Sequence, residues 1–170
     1  HHRSSAASDV YKRQHYNKSK LKAEKLKKEL SNEGTKVYLV KGDLSKENDV
    51  NKIVKYAKSK LKYFDCLINN ASLFENDKLE NFTTDSWGQH LRTNLRTPAL
   101  LSKEFAKNVR KGNNNIINII DQRVFKLTPY FFSYTISKTG LYTLTKTSAM
   151  SLAPSAVSYT HLRAHETRFY

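Results

Sequence analysis

The sequence is poor in the residues that staple, stiffen or break a chain: one cysteine, three prolines and five glycines among 170 residues. A lone Cys66 excludes an internal disulfide and a cysteine-based zinc site, and it suits a reducing cytosol. So little glycine and proline excludes collagen-like and low-complexity material. No apolar run approaches the roughly eighteen residues that a membrane-spanning helix needs. His1–Gln14 has no apolar stretch behind a basic start, so it does not read as a signal peptide. Acids are scarce too, 15 against 30 Lys plus Arg, for a formal net charge of +15. At 38% the hydrophobic content is low, yet Ile, Leu, Phe and Tyr are too frequent for a disordered chain. The length bounds the chain to one domain or a piece of a larger one, and no internal repeat is visible.

The two ends lack the patterning of the middle. Ser4–Gln14 (SSAASDVYKRQ) and Val157–Thr167 (VSYTHLRAHET) read as translations of opposite strands of one transposase sequencing adapter. Asp9–Gln14 can be encoded by GATGTGTATAAGAGACAG, whose reverse complement yields Val-Ser-Tyr-Thr-His, the residues of 157–161. Residues 1–14 and 157–170 are therefore read as adapter-derived tails, expected to be irregular or loosely attached. Residues 15–156 are read as a partial domain cut at both ends. Removing the three bases and one acid of the first tail, and the two and one of the second, leaves +12. Four of the six histidines (His1, His2, His161, His165) lie in the tails, so no histidine cluster for a metal remains.

In the middle, Lys18–Glu33 predicts a basic helix with a narrow apolar stripe through Leu21, Ala23, Leu26 and Leu30, stopped by Gly34. Lys36–Lys41 (KVYLVK) predicts a strand, and Ser45 with Asn48 offers N-cap chemistry to a helix burying Val50, Ile53, Val54, Ala57 and Leu61. Phe64–Ile68 is a short strand. Thr83 or Thr84 opens a long helix that Pro98 should kink or restart. Asn115–Ile120 (NIINII) is a buried strand, and Tyr130–Leu152 a helix. Strands alternating with helices argue for an α/β fold, a doubly wound parallel sheet with helices on both faces. Ligands on such sheets sit at the carboxyl ends of the strands. The polar residues there (Asn17-Lys18-Ser19, Asp43, Asn69-Asn70-Ala71-Ser72 and Asp121) are expected to line one crevice.

Tyr134 and Lys138, four apart on a helix, share one face. An ammonium beside a phenol lowers its pKa, which would make Tyr134 a proton donor and acceptor near neutrality. Alone, a Tyr-x-x-x-Lys is an ordinary surface pair in a chain with ten tyrosines and many lysines. Its company is less ordinary. Asp43-Leu44 follows one strand, Asn69-Asn70-Ala71 the next, then Asn94 to Pro98 (NLRTP), Asp121 after NIINII, and Tyr134-Thr-Ile-Ser-Lys138. Together these resemble the short-chain dehydrogenase/reductase family over residues 15–154. The resemblance implies a Rossmann-like fold, a nicotinamide cofactor, a cytoplasmic homotetramer and a small-molecule substrate.

Three departures from the family pattern point to one branch. The serine usual thirteen residues before the tyrosine is Asp121, the glycine usual after Asn-Asn-Ala is Ser72, and His15-Tyr16-Asn17-Lys18-Ser19 resembles the end of the strand that reads the adenosine ribose. These are similar to pteridine reductases and the related dihydromonapterin and dihydrofolate reductases. That similarity implies a catalytic set of Asp121, Tyr134, Lys138 and Asn94. It implies cofactor contacts from Asn17, Lys18, Ser19, Asp43, Leu44, Asn70, Ala71, Ser72, Tyr134 and Lys138, and substrate contacts from Phe74, Asp121 and Tyr134, with Phe74 stacked on the pterin and no metal. A pterin offers C=N bonds and N–H groups, so a hydride must be matched by protonation at nitrogen, work that a carboxyl can share. No acid follows the ribose-reading strand, which favours NADPH over NAD. Strands two to five of seven are expected, without the glycine-rich phosphate loop or the final substrate loop.

Other readings are an ordinary carbonyl or 3-oxoacyl reductase, which Asp121 and Phe74 oppose, and a non-catalytic scaffold member, which Tyr134 and Lys138 oppose. A basic nucleic-acid-binding module is opposed by lysines spread over every helix and by the absence of a known motif. Residues 1–170 alone are predicted not to act as a reductase, because no glycine turn and helix N-terminus hold the pyrophosphate. NADPH titration by fluorescence checks this: saturable tight binding with pterin-dependent NADPH consumption would overturn it.

Overall fold

Strands and helices alternate along the chain, and every strand pairing is parallel among the described residues. The structure is a computed structural model that describes residues 11–61, 63–109, 114–152 and 157–163. It divides into two units, one ending at Lys60 and one beginning at Leu61.

In the first unit β1 (Tyr11–Tyr16) pairs with β2 (Lys36–Lys41), Tyr11 opposite Lys36 and Tyr16 opposite Lys41. Helix α1 (Lys20–Asn32) joins them. Its inward stripe is Ala23 with Leu26 and Leu30 half-buried; Leu21, expected on that stripe, is 82% exposed. A step of two from 21 to 23 turns the helix by about 200°, so the two cannot share a face. The helix ends in a Schellman motif, with Gly34 N–H on Ser31 O and Thr35 N–H on Leu30 O. Gly34 takes the positive φ of 85° that this ending needs. Helix α2 (Glu47–Lys60) buries Val50 and Ile53, with Glu47 and Asp49 in its first turn and Lys58 and Lys60 in its last, matching the helix dipole. The turn before it differs from expectation. Ser45 does not supply the cap through its side chain; its N–H and Oγ–H both donate to Asp43 Oδ1 at 2.9 and 2.7 Å, while Asp49 Oδ2 accepts the Asp43 N–H. A carboxylate two residues ahead is the stronger acceptor and takes the hydroxyl.

In the second unit β3 (Cys66–Asn69), β4 (Asn114–Ile120) and β5 (Val157–Arg163) lie in that order. On β4 alternate residues Asn114, Ile116, Asn118 and Ile120 are buried, the period-two pattern of a sheet face against a core. Ile116 packs with Phe105, flanked by Phe64, Leu67, Val109 and Leu152. Between β3 and β4, α3 (Thr84–Leu91) starts at a Thr83–Ser86 capping box. It passes into a π-helical turn, Arg92–Arg96, and then α4 (Thr97–Ala106). Pro98 has no N–H, and Thr97 N–H reaches back five residues to Arg92 O. The proline thus opens a new helix, as one of its two expected roles. Helix α5 (Phe132–Leu152) begins two residues later than expected. Phe131 sits at φ 57°, and the first helical N–H groups are satisfied from far away in sequence. Phe132 N–H donates to Asp77 O and Ser133 N–H to Asp77 Oδ1, at 3.2 and 2.9 Å.

Each unit carries its own parallel sheet, β1-β2 in the first and β3-β4-β5 in the second. Two expectations about the ends are corrected. Tyr11–Gln14 and Val157–Arg163, taken as irregular, lie in β1 and β5, and β5 adds a strand to those expected. Parallel pairing uses backbone groups and so does not require a side-chain pattern. The remainder of both tails lies outside the described residues. Arg13 shows the cost in β1: its guanidinium nitrogens are out of water without a hydrogen-bond partner, and the group lies 4.8 Å from the Tyr38 ring centroid.

A methyl at Gly34 would meet nothing within 4 Å, so replacing it tests conformation alone. Gly34→Ala is expected to destabilise the chain by about 1–2 kcal/mol and Gly34→Asn by less, measured by urea unfolding followed by circular dichroism.

Candidate active site

The site in the second unit grows from the ends of β3 and β4 and the first turns of α5. Asn69, the last residue of β3, is buried and donates to Asn118 Oδ1 on β4 at 2.8 Å; Asn118 donates to Thr145 Oγ1 on α5 at 2.8 Å. This polar chain locks two strands and a helix in one register inside the core. Beyond Asn69 the backbone leaves the sheet, and Asn70, Ala71 and Ser72 stand exposed.

Asn94 holds the loop that follows. It lies in the π-helical turn, 1% exposed. Its Oδ1 accepts from Leu73 N–H at 2.8 Å and Ser72 Oγ at 3.2 Å, and its Nδ2 donates to Leu73 O at 2.9 Å and Ser137 Oγ at 3.0 Å. Fully buried His90 adds a second tie: Glu75 N–H donates to its Nε2 at 3.3 Å, and its Nδ1 lies 2.9 Å from Ser86 O. These bonds together select the neutral tautomer protonated at Nδ1.

Asp121 follows β4 directly, and Tyr134 and Lys138 come later on α5, all three 5% exposed or less. Tyr134 O–H donates to Asp121 Oδ2 at 3.0 Å. Asp121 Oδ1 accepts from Arg123 N–H at 2.8 Å and pairs with the Arg123 guanidinium at 3.5 Å. Lys138 Nζ donates to Ile119 O at 2.8 Å and lies 5.8 Å from the Tyr134 ring centroid. The electrostatics correct the expected lowering of the tyrosine pKa. Burial, then the charge of Asp121, then the hydrogen bond to it push Tyr134 up, against smaller opposing effects of Arg123 and Ser72. Burial pulls Lys138 down to about 8, with Asp121 opposing. The lysine is a neighbour, but burial and the adjacent carboxylate together keep the phenol protonated.

Phe74 forms an aromatic wall beside this group. Its ring stacks on Phe131 at 4.4 Å and 3°, and meets Tyr134 at 4.7 Å and 75°, while remaining 49% exposed. The Arg123 guanidinium lies 4.5 Å from the Phe131 centroid and 5.2 Å from that of Phe74. The structure thus brings together Asp121, Tyr134, Lys138, Asn94, Ser72 and Phe74, and adds Arg123, Phe131, His90 and Asp77, which sequence reasoning missed. Arg123 was signalled only by lying two residues beyond Asp121. The partners of Asp77 and Phe131 lie 56 and 57 residues away in sequence.

The remaining expected cofactor residues lie in the first unit. Asn17, Lys18 and Ser19 follow β1 and are exposed. Ser19 stands at the N-cap of α1 without a side-chain cap bond, and no acid occupies the first turn. After β2, Asp43 organises its own turn and Leu44 is buried, 8% exposed. Among the described residues no group of three or more His, Cys, Asp or Glu could hold a metal, and no helix is long and apolar enough to cross a membrane.

Known proteins resemble this chain in sequence and fold. The short chain dehydrogenase profile matches residues 6–164. An uncharacterized oxidoreductase of Thermotoga maritima is 32% identical over 125 residues, 73% of this chain and 49% of its own. The 3-oxoacyl-[acyl-carrier-protein] reductase FabG of Staphylococcus epidermidis is 26% identical over 144 residues, 84% of this chain and 59% of its own. FolM alternative dihydrofolate reductase 1 from Brucella canis, solved in complex with NADP, superposes with TM-score 0.80 at 36% identity, covering 88% of this chain and 60% of that one. The chain therefore spans about half to three-fifths of the length of these relatives. With the profile covering nearly all of it, and a parallel α/β fold carrying the Tyr134–Lys138 pair, the chain belongs to the short chain dehydrogenase family.

Proposed function

We propose that the full-length enzyme containing this chain reduces a dihydropterin-type substrate with NADPH, using Asp121, Tyr134 and Lys138 as catalytic residues. The observation that carries this reading is the Tyr134 O–H donated to a carboxylate, Asp121 Oδ2, at 3.0 Å. A carbonyl reductase needs only a neutral hydroxyl there; a carboxylate suits a substrate that presents N–H groups. The half-exposed ring of Phe74 supports it, as a stacking face beside the tyrosine. So does the similarity to the dihydrofolate reductase of Brucella canis.

The residues present suit the adenosine and nicotinamide ends of NADPH and leave its pyrophosphate to residues outside this chain. An uncapped α1 N-terminus with Lys18 and Ser19 and no first-turn acid suits a 2′-phosphate. Asn17, Asp43 and Leu44 would complete the adenosine side, and Asn70, Ala71, Ser72, Tyr134 and Lys138 the nicotinamide side. When bound, NADPH supplies the hydride. Tyr134, kept protonated by its surroundings, gives a proton to the substrate nitrogen. The phenolate left behind faces the Lys138 ammonium and the Arg123 guanidinium, which offset its charge. Asp121 accepts an N–H of the substrate and orients the ring. Asn94 acts through the loop it holds, keeping Ser72 and Phe74 in place. A cytoplasmic homotetramer is part of the same reading.

NADPH oxidation by the full-length enzyme is expected with dihydromonapterin, dihydrobiopterin or dihydrofolate; turnover of an acetoacetyl thioester alone would overturn the substrate assignment in favour of a 3-oxoacyl reductase. Asp121→Ser is expected to lower pterin kcat by about 100-fold or more while NADPH affinity holds. Unchanged turnover would leave Asp121 only as the cap of the turn at Arg123. Activity is expected to fall as pH rises through about 8, because Lys138 then loses the charge that stabilises the phenolate. A pH–kcat profile in which Lys138→Met removes that limb checks the assignment.

A further inference from the structure

We propose that Arg123 is a positioning residue that ties the proton-transfer pair to the stacking face, aiming the carboxylate of Asp121 at Tyr134 and bracing Phe74 on Phe131. The stacking half of this inference rests on the pterin reading above; the half concerning Asp121 does not.

The division of labour on Asp121 carries it. Oδ2 serves Tyr134, and Oδ1 is held by the backbone N–H and guanidinium of Arg123. The pair is largely buried, with side chains 16% and 7% exposed, so water and salt screen it little. The same guanidinium lies over both Phe131 and Phe74. Arginine can do both at once because its edge donates while its flat face stacks; lysine keeps the charge but has no face. Phe131 is presented by a backbone at φ 57°, a conformation costly for an aromatic residue. Its N–H is held by Asn76 Oδ1 at 3.1 Å, so its ring position is set by the protein around it. Charge follows the same geometry. Arg123 offsets Asp121, leaving the Lys138 cation for a phenolate at Tyr134. The other groups facing the tyrosine are the Ser72 hydroxyl from the loop and the neutral His90 ring of α3, 6.4 Å away.

Arg123→Gln and Arg123→Lys in the full-length enzyme test this, with kcat, KM and pH profiles for a dihydropterin and for an acetoacetyl thioester, and thermal melts of each variant. Arg123→Gln is expected to lower kcat by about 10- to 100-fold. It should also move the alkaline limb to higher pH, since Tyr134 and Lys138 both hold their protons longer once this cation is gone. Arg123→Lys should restore the limb and much of kcat but leave the pterin KM raised, because the face is still missing. A limb that stays in place in Arg123→Gln, or a uniform loss in both variants that tracks a lowered melting temperature, would overturn the proposal. If only the thioester is reduced and its limb still moves, the role of Arg123 toward Asp121 is supported while the pterin reading fails.

Discussion

A carboxamide sealed away from water must find all its partners within the protein, and Asn94 finds them on the loop after β3 and on α5. Leaving even one of those groups unpaired would cost about 1–3 kcal/mol. The chain of consequence runs outward from there. Leu73 is clamped at both its N–H and C=O, which fixes where Ser72 and Phe74 begin. His90 holds Glu75 from the other side of the same loop. Asn76 and Asp77, a few residues on, satisfy the opening N–H groups of α5 and so set the start of the helix that carries Tyr134 and Lys138.

The chemistry is held in place by a small arrangement of charge. A buried carboxylate, ammonium and phenol and a largely buried guanidinium stand together where water moderates them little. In such a place burial itself weighs most on Tyr134, and Asp121 is the charge that weighs next, while Lys138 is bonded to the Ile119 carbonyl. The phenol is consequently stored in its acid form, suited to giving a proton rather than taking one.

Much of this was legible in the residues. The strand at NIINII, the Gly34 stop and the shared face of Tyr134 and Lys138 are local properties, written within a few residues of where they act. Asp121 was set beside Tyr134 by the family resemblance, and the hydrogen bond between them agrees with that pairing. What escaped notice depends on distance. The cap of α5 comes from Asp77, and the partner of Phe74 is Phe131; nothing near either residue announces the other. The tyrosine pKa also escaped, because sequence shows which charges are present and not how much water remains between them. The strands at Tyr11–Gln14 and Val157–Arg163 were missed since backbone pairing can recruit a segment whose side chains, as at Arg13, do not suit the place.

The π-helical turn at Arg92–Arg96 has a bearing on how this chain can change. A turn of this kind holds one more residue than the α-helix around it, and each residue advances an α-helix by about 100°. His90 before the turn supports the loop beneath Phe74, while Phe105 after it fills the core beside Ile116. The turn is where one rod changes phase between those two duties. Deleting a single residue there would restore a smooth helix and rotate one half against the other, so that either the loop or the core would lose its anchor. A change of length here would therefore bear on both duties at once, and the count of residues between His90 and Phe105 is set by the loop on one side and the core on the other.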